Sequence, residues 1–129
     1  MTEEKREIKP RYGTVNFEKR KHPRFSVDLP VEYGQTDLSV DNGRAMDASE
    51  GGLLLRLPEQ IDIGKRLRLK LFFAMGSELH AVETLVEAVW TDIHLEKDWG
   101  DYRTGVRFVE ISTEDMSKLK KFLKNLSSP

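Results

Sequence analysis

"KRLRLKLFF", residues 65–73, alternates basic and apolar side chains from Arg66 to Leu71. Leu67, Leu69, Leu71 and Phe73 fall on one parity; Arg66, Arg68 and Lys70 fall on the other. A period of two sends successive side chains to opposite faces, so this stretch reads as a strand with one face in a core and one in water. The same period recurs upstream in "SVDLPVEY", residues 26–33, through Val27, Leu29, Val31 and Tyr33. Pro30 sits on the opposite parity there and lacks a backbone donor, which predicts a sheet edge or a bulge at that point.

Between these two strands, "GQTDLSVDNG" (34–43) has turn chemistry, with Asn42-Gly43 as its strongest turn signal. "RAMD" (44–47) reads as a short strand, "ASEGG" (48–52) interrupts it, and "LLLRL" (53–57) resumes until Pro58. Downstream, "HAVETLVEAVW" (80–90) reads as a long strand with Val82, Val86, Ala88 and Trp90 on one parity. "TDIHLEKDWGDY" (91–102) is a polar connection, with Trp99 as a loop anchor. "TGVRFVEI" (104–111) is the last strand: Val106 and Phe108 share a face, Arg107 points outward, and Gly105 marks close packing or a bulge. The pattern then changes to helical spacing through Met116, Leu119, Leu123 and Leu126, with Phe122 beside them. Ser112 and Asp115 fit a capping box, and acids precede lysines as the helix dipole favours. About six mostly antiparallel strands joined by tight turns, followed by one amphipathic helix, predict a mainly β protein with a closed or nearly closed barrel over about 25–111 and a helix over about 113–126.

The 129 residues suit one domain with one core. Hydrophobic residues at 38% and charged residues at 33% describe a polar globular chain. No run of 18 apolar residues is present, and the start lacks the apolar region of a secretory signal, so no membrane span and a cytoplasmic address are expected. With no cysteine, disulfides and thiolate metal sites are excluded. The formal net charge of -1 conceals an asymmetry: residues 1–24 hold eight basic against four acidic side chains, so the remainder is net acidic. Residues 1–17 keep no sustained period and read as a flexible arm on which Tyr12 and Phe17 could dock. A basic arm on an acidic body points to an anionic ligand at the arm.

Enzymatic arrangements are missing. His22, His80 and His94 match no metal spacing, there is no cysteine nucleophile, and no phosphate-cradling glycine loop is present. No catalytic residue, metal or cofactor is therefore assigned. Two short motifs remain. Arg20, Lys21, His22, Pro23 and Arg24 form R-x-x-x-R, and Asp47 to Gly52 form D-x-S-x-x-G, with 22 residues between Arg24 and Asp47. Alone, the first reads as a solvated basic loop and the second as an ordinary turn.

In this order, with this spacing, ahead of alternating strands, "YRTGVRF" (102–108) and a closing helix, the two motifs make residues 18–126 resemble a PilZ domain, the bacterial receptor module for cyclic di-GMP. The resemblance implies a six-stranded antiparallel barrel with a C-terminal helix, a PilZ domain over 18–129, and ligand binding by Arg20, Arg24, Asp47, Ser49 and Gly52. Lys19, Lys21, Gly51 and Trp90 are ligand-adjacent positions on this reading. The residue types suit the ligand. An arginine fork grips either a phosphate or the O6/N7 edge of guanine, and its plane stacks on purines. Four extended positions reach at most ~13–14 Å, so Arg20 and Arg24 can address different parts of one ligand or a stacked pair. Asp47 can accept from the guanine N1–H and N2–H₂ donors, Ser49 can donate to phosphate or accept from an amine, and Gly51 and Gly52 let the backbone approach closely. Trp90 either stacks on a base or packs the rim. Lys19 precedes the first arginine, a position that in the family bears on whether one ligand or a stacked pair is held.

Three functions follow as alternatives. One is a cyclic di-GMP receptor whose ligand orders the arm and regulates an effector protein in motility, pilus or exopolysaccharide control. The second is a PilZ-like interaction domain that needs no nucleotide. The third is a single-stranded nucleic-acid binder, against which the acidic body argues.

Overall fold

The computed structural model describes residues 22–35, 40–92 and 102–127. The flexible arm expected over 1–17, with Tyr12 and Phe17, lies outside these residues, as do Lys19, Arg20, Lys21, His94 and Trp99. Among the described residues six strands are followed by one helix: β1 Phe25–Gly34, β2 Asp41–Ala48, β3 Gly52–Leu57, β4 Arg66–Met75, β5 Glu78–Thr91, β6 Tyr102–Ile111 and α1 Thr113–Ser127. All pairings are antiparallel, and they close into a barrel in the order β1-β2-β3-β6-β5-β4. Closure leaves the barrel without the exposed edges of an open sheet.

The alternation that marks the strands fills the barrel. Leu67, Leu69, Leu71 and Phe73 of β4 are all at or below 3% exposed, and Val31, Leu55, Leu57, Val82, Val86 and Ala88 join them in one core. Tyr33 is buried too, and its hydroxyl donates to Glu59 Oε2 at 2.8 Å. That pairing satisfies the one polar atom the side chain carries inward. Pro30 lies one residue before the β1–β4 ladder begins at Val31–Leu71, beside a register irregularity between Ser26 and Leu29, as a residue without an N–H requires.

Asn42-Gly43 does not make the expected turn. Both residues lie within β2, opposite Glu32 and Val31. Gly43 is there for proximity: a Cβ on it would sit 2.5 Å from Leu57 Cδ2 and 2.9 Å from the Arg56 carbonyl oxygen. Close approach to β3 selects glycine at this position.

The helix closes the end of the barrel where β1 begins and the β4–β5 turn lies. Ser112 caps it, accepting from the Asp115 N–H at 3.0 Å. The Asp115 carboxylate instead accepts the Glu83 N–H of β5 at 3.1 Å, so the second half of the expected capping box is diverted into a tie to the barrel. Leu119, Phe122 and Leu123 enter the core, and the Phe122 ring stacks on Phe73 with centroids 4.4 Å apart. Leu126, expected on the same apolar stripe, is instead 44% exposed. The helix is neither long nor apolar enough to cross a membrane.

Candidate ligand-binding cleft

The D-x-S-x-x-G segment is the turn between β2 and β3. Ser49 organises it: its N–H donates to the Gly52 carbonyl at 3.0 Å, and its hydroxyl oxygen accepts from Gly51 N at 3.1 Å and Gly52 N at 3.2 Å. The side chain is 9% exposed, so the hydroxyl faces its own backbone more than solvent. The turn is also fastened to β6, through a bond from Phe108 N to the Gly51 carbonyl at 3.1 Å. Gly52 has no room for a side chain, because a Cβ would lie 2.1 Å from the Val106 carbonyl oxygen and 3.0 Å from Arg107 Cα. A Cβ on Gly51 would meet His22 Cδ2 at 3.2 Å. The glycines therefore serve close contacts within the protein: Gly52 with β6, Gly51 with His22.

From this turn the outer face of the barrel carries a cross-strand row. Asp47 of β2 stands opposite Leu54 of β3, Leu54 opposite Gly105 of β6, and Gly105 opposite Trp90 of β5. Neighbouring strands lie about 4.8 Å apart, so Asp47 and Trp90 face each other across roughly 14 Å. Gly105 contributes no side chain, and the row dips there between the carboxylate and the indole. A register shift between Ala88 and Trp90 turns Trp90 out of the core, leaving it 45% exposed where parity alone places it with Val86 and Ala88. Behind it, the Arg103 guanidinium lies 5.9 Å from the ring centroid and is itself held by Asp92 at 2.7 and 3.1 Å.

A second row runs beside the first, through Gly52, Arg107, Glu87 and Arg66 on β3, β6, β5 and β4. Arg107 donates to Glu87 Oε1 at 2.6 Å, and Arg66 lies 3.8 Å from the same oxygen. The first row, Gly52 and Arg107 of the second, and the β2–β3 turn line a cleft of about 570 Å³, with His22 and Arg24 also lining it; Glu87 and Arg66 lie beyond its lining. That volume falls within the usual range for small-molecule sites. His22 Nδ1 lies 3.8 Å from Glu50 Oε1, and Lys120 of the helix lies 4.0 Å from the same atom. One carboxylate thus joins the chain entering β1, the β2–β3 turn and α1.

Of the residues singled out from sequence, Arg24, Asp47, Ser49, Gly51, Gly52 and Trp90 line this one cleft. Arg20, Lys19 and Lys21 lie outside the described residues. Sequence reasoning missed His22, Leu54, Val89 and Arg107 as lining residues. Arg107 faces outward, as its place in the strand pattern predicts; what the linear sequence does not carry is the strand order that sets it opposite Gly52. Among the described residues no group of three or more potential ligands could hold a metal ion.

The PilZ domain family model matches residues 18–125. Among solved structures, the chain is similar to the Bacillus subtilis inhibitor of motility MotI/DgrA, at 17% identity and a TM-score of 0.70, covering 89% of this chain and 54% of that one. It is similar to the PilZ domain of YcgR from Escherichia coli, solved with cyclic di-GMP, at 17% identity and a TM-score of 0.65, covering 84% and 91%. It is also similar to MrkH, described as a cyclic di-GMP-dependent transcription regulatory factor, at 15% identity and a TM-score of 0.64, covering 84% and 51%. The chain spans about half the length of the MotI/DgrA and MrkH chains. No curated protein sequence matches it. A six-stranded barrel with a closing helix, both motifs in order, and a family match across most of the sequence lead to one assignment: the chain belongs to the PilZ domain family.

Proposed function

We propose that this protein is a cytoplasmic cyclic di-GMP receptor without catalytic activity, acting through an effector protein. The observation that carries the reading is the convergence of Arg24, Asp47, Ser49, Gly51, Gly52 and Trp90 on one cleft, in a chain matched by the PilZ family over 18–125. Arg20 and Arg24 supply guanidinium forks to phosphate or guanine, and Asp47 accepts from a guanine Watson–Crick edge. Ser49, with its hydroxyl committed to Gly51 and Gly52, holds the turn that aims these groups. Trp90 offers a face for base stacking at the far wall. Ligand bridging Arg20 and Arg24 to the barrel fixes residues 1–17 against one side of it, which changes the surface an effector meets. Motility, pilus assembly and exopolysaccharide synthesis are the outlets this reading favours.

Calorimetric titration of cyclic di-GMP into the wild-type chain, Arg20→Ala and Arg24→Ala is the test. Binding at micromolar concentration or tighter that both substitutions abolish is the expected result, and the fitted stoichiometry distinguishes one ligand from a stacked pair. A folded wild-type protein that gives no heat and no binding overturns the reading in favour of a nucleotide-independent interaction domain.

A further inference from the structure

We infer that Arg107 is a third arginine of the ligand site, held ready by Glu87, which competes with the ligand for it. The inference rests on the cyclic di-GMP reading and extends it to two residues outside both motifs. Among the described residues, Arg24 and Arg107 are the two arginines that line the cleft. Arg107 stands directly opposite Gly52 in the β3–β6 ladder, so the strand position beside it carries no side chain that would cover its guanidinium. The side chain is half-exposed, at 52%, and one terminal nitrogen contacts one oxygen of Glu87. That monodentate contact leaves the remaining donors of the fork available for two parallel hydrogen bonds to a phosphodiester or to guanine O6/N7.

Glu87 has a second cation within reach. Arg66 lies 3.8 Å from the same carboxylate oxygen, on the opposite side of Glu87 in the row. When Arg107 turns toward an anionic ligand, Glu87 retains Arg66, and no carboxylate is stranded. The exchange replaces one charge-assisted bond with others, which makes the direction of each substitution predictable. Removing the Glu87 charge releases Arg107 and makes the cleft more positive. Removing the Arg107 fork deletes the contact itself.

The experiment is titration calorimetry of cyclic di-GMP into wild type, Arg107→Ala, Arg107→Lys, Glu87→Gln and the double variant Glu87→Gln/Arg107→Ala, with thermal unfolding of each as a check on folding. Arg107→Ala is expected to lose about tenfold in affinity or more, as for a hydrogen bond to a charged group. Arg107→Lys, which keeps the charge and loses the fork, also binds more weakly than wild type. Glu87→Gln binds more tightly, by roughly threefold or more, and the gain disappears in the double variant because it acts through Arg107. Wild-type binding with Arg107 variants that match it, or a Glu87→Gln gain that persists without Arg107, overturns the inference while leaving the receptor reading intact. A wild-type chain that does not bind overturns the receptor reading, and this inference with it.

Discussion

Ser49 commits its hydroxyl to two backbone N–H groups, and this alters what its substitution reports. Ser49→Ala leaves Gly51 N and Gly52 N without that acceptor, in a turn that is partly buried. The expected cost is about 1–2 kcal/mol in unfolding free energy, measurable by urea denaturation without any ligand. Gly52→Ala is more severe. Its Cβ collides with the Val106 carbonyl, a backbone atom that cannot turn aside, and a loss of roughly 1–3 kcal/mol is expected by the same measurement. Affinity lost in either variant is therefore interpretable only beside its stability, whereas Arg24 is exposed and offers a cleaner probe of binding. Tyr33 makes a prediction at the opposite end of the pH scale. Burial, then its hydrogen bond to Glu59, pushes the phenol well above its ordinary pKa of 10.0. A folded-state value above the unfolded one means that the contribution is complete below pH 10 and is lost as pH rises toward the folded value. The stability gap between wild type and Tyr33→Phe should accordingly narrow above pH 10, as read by denaturant midpoints across that range.

Strand β3 carries an arrangement with an energetic cost. Arg56 stands opposite Arg44 on one side and Arg103 on the other. Arg44 is held by Asp28 at 2.8 Å, which draws the Asp28 carboxyl below its usual pKa, and Arg103 is held by Asp92. Arg56 has no carboxylate within 4 Å among the described residues and feels Asp28 only at longer range, as the smallest of the influences on that carboxyl. Like charges directly opposite across strands are unfavourable, so Arg56→Thr should raise stability by about 0.2–1 kcal/mol in urea unfolding. The elements themselves were largely legible, because one buried face imposes a period of two on β1, β4 and β5 and a helical period on α1. The exceptions have separate physical causes. Asn42-Gly43 carries turn chemistry, yet Gly43 is selected by Leu57 on a neighbouring strand, a contact invisible to local reading. Trp90 follows the parity of Ala88 until an extra residue in β5 reverses it. Leu126 keeps the helical spacing yet stays exposed, because spacing alone does not say how far a partner surface extends. In the cleft, Asp47, Ser49 and Gly52 were legible because they form one local turn with a recognisable spacing. Arg107 was not, because an outward arginine on a strand looks the same whether it faces water or a ligand.

The barrel as a whole turns two weak local signals into one site. Arg24 and Asp47 are separated in sequence by all of β1 and most of β2, yet Ser26 pairs directly with Asp47, which brings the end of the basic stretch alongside the turn. The helix belongs to the same end: Phe122 on Phe73 and Asp115 on Glu83 fasten it to β4 and β5, while Lys120 reaches Glu50 in the turn. That geometry has a consequence for how the parts of such a chain feel one another. His22 and Lys120 both approach the Glu50 carboxylate, so the lead-in to β1 and the middle of α1 meet at one side chain of the β2–β3 turn. A push on that one carboxylate reaches the lead-in and the helix together, as a knot passes tension to every cord it ties.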